Sequence, residues 1–162
     1  MTFFAGQKLT AAALRAAIPQ LQKVTVDQLI NSTSQAAVLS FPVIPGTYVL
    51  SGRFTWVQGA TQAVQALRLT GPTATLISVR LKETELAAGG ESTFGNGLVT
   101  AYNTDLSGAS GGQPATTTVA WDFDGIVVLS AAGTLGIAAR CVTSGSDTFT
   151  IKAGSSAQLV QG

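Results

Sequence analysis

The sequence predicts an all-β fold, a β-sandwich or jelly roll, preceded by a short N-terminal arm and helix. Two observations carry the β prediction. Between Thr47 and Val57, residues Tyr48, Leu50, Phe54 and Trp56 share one parity, while Thr47, Ser51, Arg53 and Thr55 share the other. That period of two belongs to a strand buried on one face. About eight short apolar runs of this kind recur with turn chemistry between them, the spacing of a sandwich or jelly roll. A third observation sets the N-terminus apart: residues 1–21 carry helix-forming composition that the remainder lacks.

In that segment Thr10 precedes Ala11-Ala12-Ala13-Leu14-Arg15-Ala16-Ala17-Ile18, and Pro19 follows. Thr is a good N-cap and Ala the best helix former, so the run reads as a helix of about two to three turns. Leu14 and Ile18 lie on one face of it. So short a helix is marginal alone in water and must dock on something. Phe3, Phe4, Leu9, Leu14 and Ile18 are therefore the candidate partner-binding residues, and the arm (1–21) is separated from a β domain (22–162).

The β domain opens with Lys23-Val24-Thr25-Val26, and Val38-Leu39-Ser40-Phe41 follows. Pro45-Gly46 turns the chain into the Thr47–Val57 strand, where Gly52 marks a bulge or a close approach. Further strands are expected over Ala63–Leu69, Thr75–Leu81, Gly97–Asn103, Thr117–Leu129, Thr134–Val142, Thr148–Ile151 and Ser156–Val160. Two polar, Gly-rich stretches, Glu83–Gly97 and Thr104–Ala115, read as exposed loops.

Composition narrows the function. Hydrophobic residues make up 46% of the chain, as in a folded domain. Charged residues make up only 10%, against roughly 25% in an ordinary soluble domain. Coverage of the surface by copies or partners would account for that; abundant Ala, Thr, Ser and Gly is the plainer alternative. The formal net charge is +1 with no basic run, so the electrostatic footprint of a nucleic-acid binder is missing. The apolar runs are too short for a membrane helix, and Met1-Thr2-Phe3-Phe4 does not read as a signal peptide. Cys141 is the single cysteine and shares parity with Leu135, Ile137 and Ala139, which reads as a buried small hydrophobe.

Histidine is absent, which removes the commonest general base and metal ligand and any Ser-His-Asp triad. Asp122 and Asp124 point the same way on a strand and could hold a cation or act as an acid–base pair. No third ligand group stands near them in sequence, so an exposed or interface-facing pair is expected instead. They also lie too close to form the opposed carboxylates of a glycan hydrolase, and Glu83, Glu85 and Glu91 fall in an expected loop. No enzymatic activity, no cofactor and no metal is expected. Arg53, Arg68, Arg80 and Arg140 sit opposite apolar neighbours, as solvated positions or as polar contacts between subunits.

Two stretches carry a resemblance. Phe41-Pro42-Val43-Ile44-Pro45-Gly46-Thr47-Tyr48-Val49-Leu50 resembles the "V-x-x-P-G-x-Y-x-F" entry into a core strand of the C1q/TNF-like jelly-roll superfamily, with Leu50 in place of the aromatic. Phe4-Ala5-Gly6-Gln7-Lys8-Leu9-Thr10-Ala11-Ala12-Ala13-Leu14 resembles the opening of small virion proteins of tailed phages, especially those of actinobacteria. Gln28–Thr33, Gly125–Leu135 and the Ala153-Gly154-Ser155 step before the last strand are compatible with that group. The resemblance implies a trimeric virion structural protein without catalytic residues.

The expected role is thus a phage capsid decoration (minor capsid) protein. It would be a homotrimer on the capsid exterior that docks on the major capsid protein and stabilises the shell, made in the host cytoplasm and without nucleic-acid or membrane partners. The alternative is a tail-associated fibre-tip or receptor-binding protein of the same fold. A receptor binder should show exposed loop aromatics, and the two expected long loops hold only Phe94.

Overall fold

A computed structural model of the chain describes residues 18–59, 64–87, 90–105, 116–142 and 148–162. Among them there is no helix. The strands are β1 (Gln20–Lys23), β2 (Gln28–Ile30), β3 (Ala36–Val43), β4 (Gly46–Gln58), β5 (Gln65–Thr70) and β6 (Ala74–Ala87). They continue with β7 (Gly90–Val99), β8 (Thr118–Leu129), β9 (Gly133–Cys141), β10 (Phe149–Ile151) and β11 (Ser156–Gln161). The larger sheet runs β1-β11-β4-β8-β6-β7, with β10 pairing both β2 and β4 at one edge; the smaller sheet runs β3-β9-β5. Every pairing is antiparallel.

The two sheets enclose one hydrophobic core. Tyr48, Leu50, Phe54 and Trp56 of β4 are all buried, as their shared parity predicts. Trp121, Phe123 and Val127 of β8 join them from the larger sheet, and Phe41, Leu67, Leu69, Leu135 and Ile137 from the smaller one. Trp56 and Trp121 pack at 5.0 Å between ring centroids, and Phe149 lies 5.5 Å and 5.8 Å from them. Gly52 is a close approach rather than a bulge. The β4–β8 register runs through it unbroken, and a Cβ there would sit 2.4 Å from the Phe123 ring. Tyr48 stays satisfied while buried because its hydroxyl donates to the Ile44 carbonyl at 2.9 Å and accepts from the Ile44 N–H at 3.1 Å. Pro42 sits in β3, at the edge of its sheet, where a missing N–H is tolerated.

Three expectations need correction. The stretch Glu83–Gly97 is not a loop: it belongs to β6 and β7, which form a long antiparallel pair. Glu and Gly have poor β propensity, but β8 alongside supplies the ladder, with Leu81 opposite Phe123 and Glu83 opposite Trp121. Glu83 and Thr84 are buried, and the register with β7 shifts between them. The strand expected over Gly97–Asn103 therefore ends at Val99, and Asn103 turns the chain with φ 59°. The first strand lies earlier than Lys23–Val26. Pairing with β11 begins at Gln20, two residues before the expected domain start. The helix expected over residues 11–18 lies outside the described residues except for Ile18, which is in a bend.

The Ala153-Gly154-Ser155 step has a structural cause. β10 and β11 follow one another along the same edge of β4, and residues 152–155 bridge the gap. Ser155 fills it: its hydroxyl accepts from Thr55 N–H at 3.0 Å and donates to the Thr55 carbonyl at 3.2 Å. Gly154 has φ +98°, a conformation costly for other residues, and its N–H donates to the Val24 carbonyl at 2.9 Å. Asp27 closes the outside, accepting from Ala153 N–H at 2.8 Å and pairing with Lys152. The Ala153 N–H and then Lys152 hold the Asp27 carboxyl below its ordinary range.

Candidate interaction surface

The outer face of the larger sheet can be read row by row from strand register. One row runs Lys23, Ser156, Arg53, Asp122, Lys82 and Asn96 across β1, β11, β4, β8, β6 and β7. The next places Ser51, Asp124, Arg80 and Leu98 side by side. Beyond it Val160, Val49 and Ile126 are aligned, and beyond those Val128 faces Leu76. The face is thus charged in one half and apolar in the other. Val49, Leu76 and Ile126 are 44% to 49% exposed, unusual for neighbouring large aliphatic side chains, and Leu98, in the charged row, is 58% exposed.

Asp122 and Asp124, the carboxylates that sequence reading set against a metal site, lie in these rows. Asp122 stands 3.7 Å from Arg53. Asp124 forms no ion pair with any described residue, and neither do Arg80 and Lys82 on the adjoining strand. A groove of about 480 Å³ opens here, lined in part by Arg80, Lys82, Asn96, Leu98 and Asp124. Among the described residues no group of three His, Cys, Asp or Glu side chains could hold a metal ion.

The four arginines of the β domain separate into two kinds. Arg53 and Arg80 belong to this open face. Arg68 of β5 and Arg140 of β9 project from the smaller sheet and close on Asp105. Arg140 Nε donates to Asp105 Oδ1 at 3.1 Å, its Nη2 donates to Oδ2, and Arg68 Nε shares Oδ1. Arg140 Nη1 also donates to the Thr33 carbonyl at 3.1 Å. Burial alone would raise the Asp105 carboxyl, but the hydrogen bonds from Arg140 and Arg68 outweigh it and bring it to about 2. Sequence reading missed this clasp. Asp105 sits in a stretch read as loop, 37 and 35 residues from its partners, and no local pattern links them.

Of the candidate partner-binding residues, Phe3, Phe4, Leu9 and Leu14 lie outside the described residues. Ile18 is 56% exposed and leads into β1, where Leu21, Val26 and Leu29 are exposed along the β1–β2 edge. Cys141 is buried, as its parity predicts, and its thiol donates to the Ile30 carbonyl at 3.7 Å.

No protein-family model matches the chain, and no curated protein does. Among solved structures it is similar to a structure of the infectious bursal disease virus Gx strain. That match has 12% identity and a TM-score of 0.18, covering 98% of this chain and 44% of that one. It is also similar to the infectious bursal disease virus VP2 subviral particle, at 13% identity and a TM-score of 0.18, covering 87% of this chain and 39% of that one. The chain spans less than half the length of either. Superpositions at that score carry no argument.

Proposed function

We infer that this protein is a non-enzymatic structural component of a phage virion, a homotrimeric decoration protein that docks on the major capsid protein from outside. The observation that carries the reading is the open outer face of the larger sheet, where exposed aliphatic side chains stand beside Arg80, Lys82 and Asp124, which form no ion pair with a described residue. A domain left so unfinished acts by contact. The sequence resemblance to tailed-phage virion proteins supplies the setting. Strand order favours the jelly-roll form, since the chain passes from the smaller sheet to the larger at β3–β4, β5–β6 and β9–β10. The exposed apolar edge at Leu21, Val26 and Leu29, beside Ile18, suits contact between copies.

A shell-bridging trimer adds a binding term that exists only after assembly, so it stabilises heads without being needed to build them. Particles lacking the protein should assemble normally, yet lose their heads more readily on heating or in low salt. Gold labelling of intact particles should mark the head, and light scattering of the free protein should give a trimer. Label on the tail, with normal head stability and failed adsorption, would replace this reading with the fibre-tip alternative. Truncation should remove residues 1–17 and spare Gln20–Lys23, which pair with β11. The truncated domain should stay folded and attach to particles more weakly.

A further inference from the structure

We propose that the outer face of the larger sheet docks an acidic protein surface bearing its own exposed apolar strip. The inference rests on the contact function above and adds which face binds and what chemistry it binds. Four cations, Lys23, Arg53, Arg80 and Lys82, stand on this face against three carboxylates, Asp122, Asp124 and, by its register position opposite Leu86, Glu91. The face therefore carries a small positive excess.

Area decides that these charges take part. Val49, Ile126 and Leu76 are three half-exposed side chains and cannot by themselves cover the roughly 800 Å² that a stable interface buries on each partner, and Leu98 stands beside Arg80 in the charged row. A partner large enough to bind must also cover the charged rows. There it meets Arg80 and Lys82, which have no ion-pair partner among the described residues.

That requirement selects the occupant. A second copy would bring the same positive excess onto this one. Residues 1–17 of the chain contain Lys8 and Arg15 and no carboxylate, so they too would set positive charge against positive. A partner with carboxylates opposite Arg80 and Lys82, and aliphatic or aromatic groups opposite Val49 and Ile126, satisfies both halves of the face at once.

The test uses the full chain and a random copolymer of glutamate and tyrosine, immobilised as the acidic and apolar probe. A lysine–tyrosine copolymer, phosphatidylserine-containing vesicles and duplex DNA are run beside it. Wild type should bind the glutamate–tyrosine copolymer in preference to the other three, at least tenfold more tightly at 50 mM than at 300 mM salt. R80E/K82E should weaken binding at least tenfold, and Ile126→Thr severalfold even in high salt. Ser40→Glu, which places a charge on the smaller sheet, should change it less than twofold. Should R80E/K82E fail to fold, R80S/K82S reads the same charge. No copolymer binding by wild type, undiminished binding by the variants, or tighter binding to vesicles or DNA would overturn the proposal. So would dissociation of a trimer by R80E/K82E in light scattering, which would make the face a contact between copies. Loss of head localisation with intact copolymer binding would instead fault the virion reading and leave this inference standing.

Discussion

On the outer face of the smaller sheet, Arg68 and Arg140 close on Asp105, and Arg140 also holds the Thr33 carbonyl. On the outer face of the larger sheet, Arg80 and Lys82 stand beside Asp124 and Asp122 without an ion pair to any described residue, and aliphatic side chains lie next to them. The residue types are similar, but the first set is saturated by described residues, whereas Arg80, Lys82 and Asp124 of the second are not. Contacts completed within one chain contribute to folding. Groups left open add nothing to the free protein and become useful when something covers them. The comparison therefore predicts stability losses from the closed set and binding losses from the open one.

The interior sets the upper end of the scale. Trp56→Ala removes a fully buried ring that packs on Trp121 and Phe149, and should cost roughly 3–5 kcal/mol in urea unfolding. A near-neutral result would move Trp56 from core to interface.

Ser155→Ala comes next. It leaves the Thr55 N–H without its acceptor at a buried seam, a loss of about 1–3 kcal/mol. Gly154→Ala meets no atom within 4 Å, so its cost is that of the backbone angle alone, about 1 kcal/mol. If both changes proved silent in thermal unfolding, the β10–β11 seam would not be a point of stability.

Asp105→Asn tests the closed set directly. The folded-state carboxyl lies at about 2 against 3.8 in the unfolded chain, so its contribution is present above pH 4 and is lost as pH falls towards 2. Solvent screening of this partly exposed group reduces the contribution to about 1 kcal/mol. The variant should be less stable than wild type by about that much at pH 7 and equal to it near pH 2. A gap that persists at pH 2 would mean that the carboxamide disturbs packing rather than charge.

Legibility in the sequence follows the range of the interactions. The inner face of β4 could be read because burial on one face writes a period of two into the nearest neighbours, Tyr48, Leu50, Phe54 and Trp56. The Glu83–Gly97 hairpin could not, because its strands are imposed by β8 across the sheet and oppose local propensity. The open face was half legible. Asp122 and Asp124 stood out as a pair, but the rows that set them beside Arg53, Arg80 and Lys82 exist only once β4, β6 and β8 are in register. The Asp105 clasp left no local trace, since it joins residues from three parts of the chain.

The smallest effect on folding should come from the open face. Ile126 is 44% exposed, so part of its transfer free energy is already realised in the free protein. Ile126→Thr keeps a β-branched residue of high strand propensity opposite Val49 and should lower stability by only about 0.5 kcal/mol. Docking would bury the remainder of the side chain, and losing that burial is worth about 1 kcal/mol, or roughly fivefold in affinity per contact. If the protein is the shell-bridging trimer proposed above, the loss is repeated at each contact and attachment to particles should fall far more than single-site affinity. Urea unfolding and cosedimentation with heads, measured on the same variant, would therefore diverge. If the two fell together, with stability down by more than 1 kcal/mol, Ile126 would be packed within the chain and the face would be closed like its counterpart on the smaller sheet.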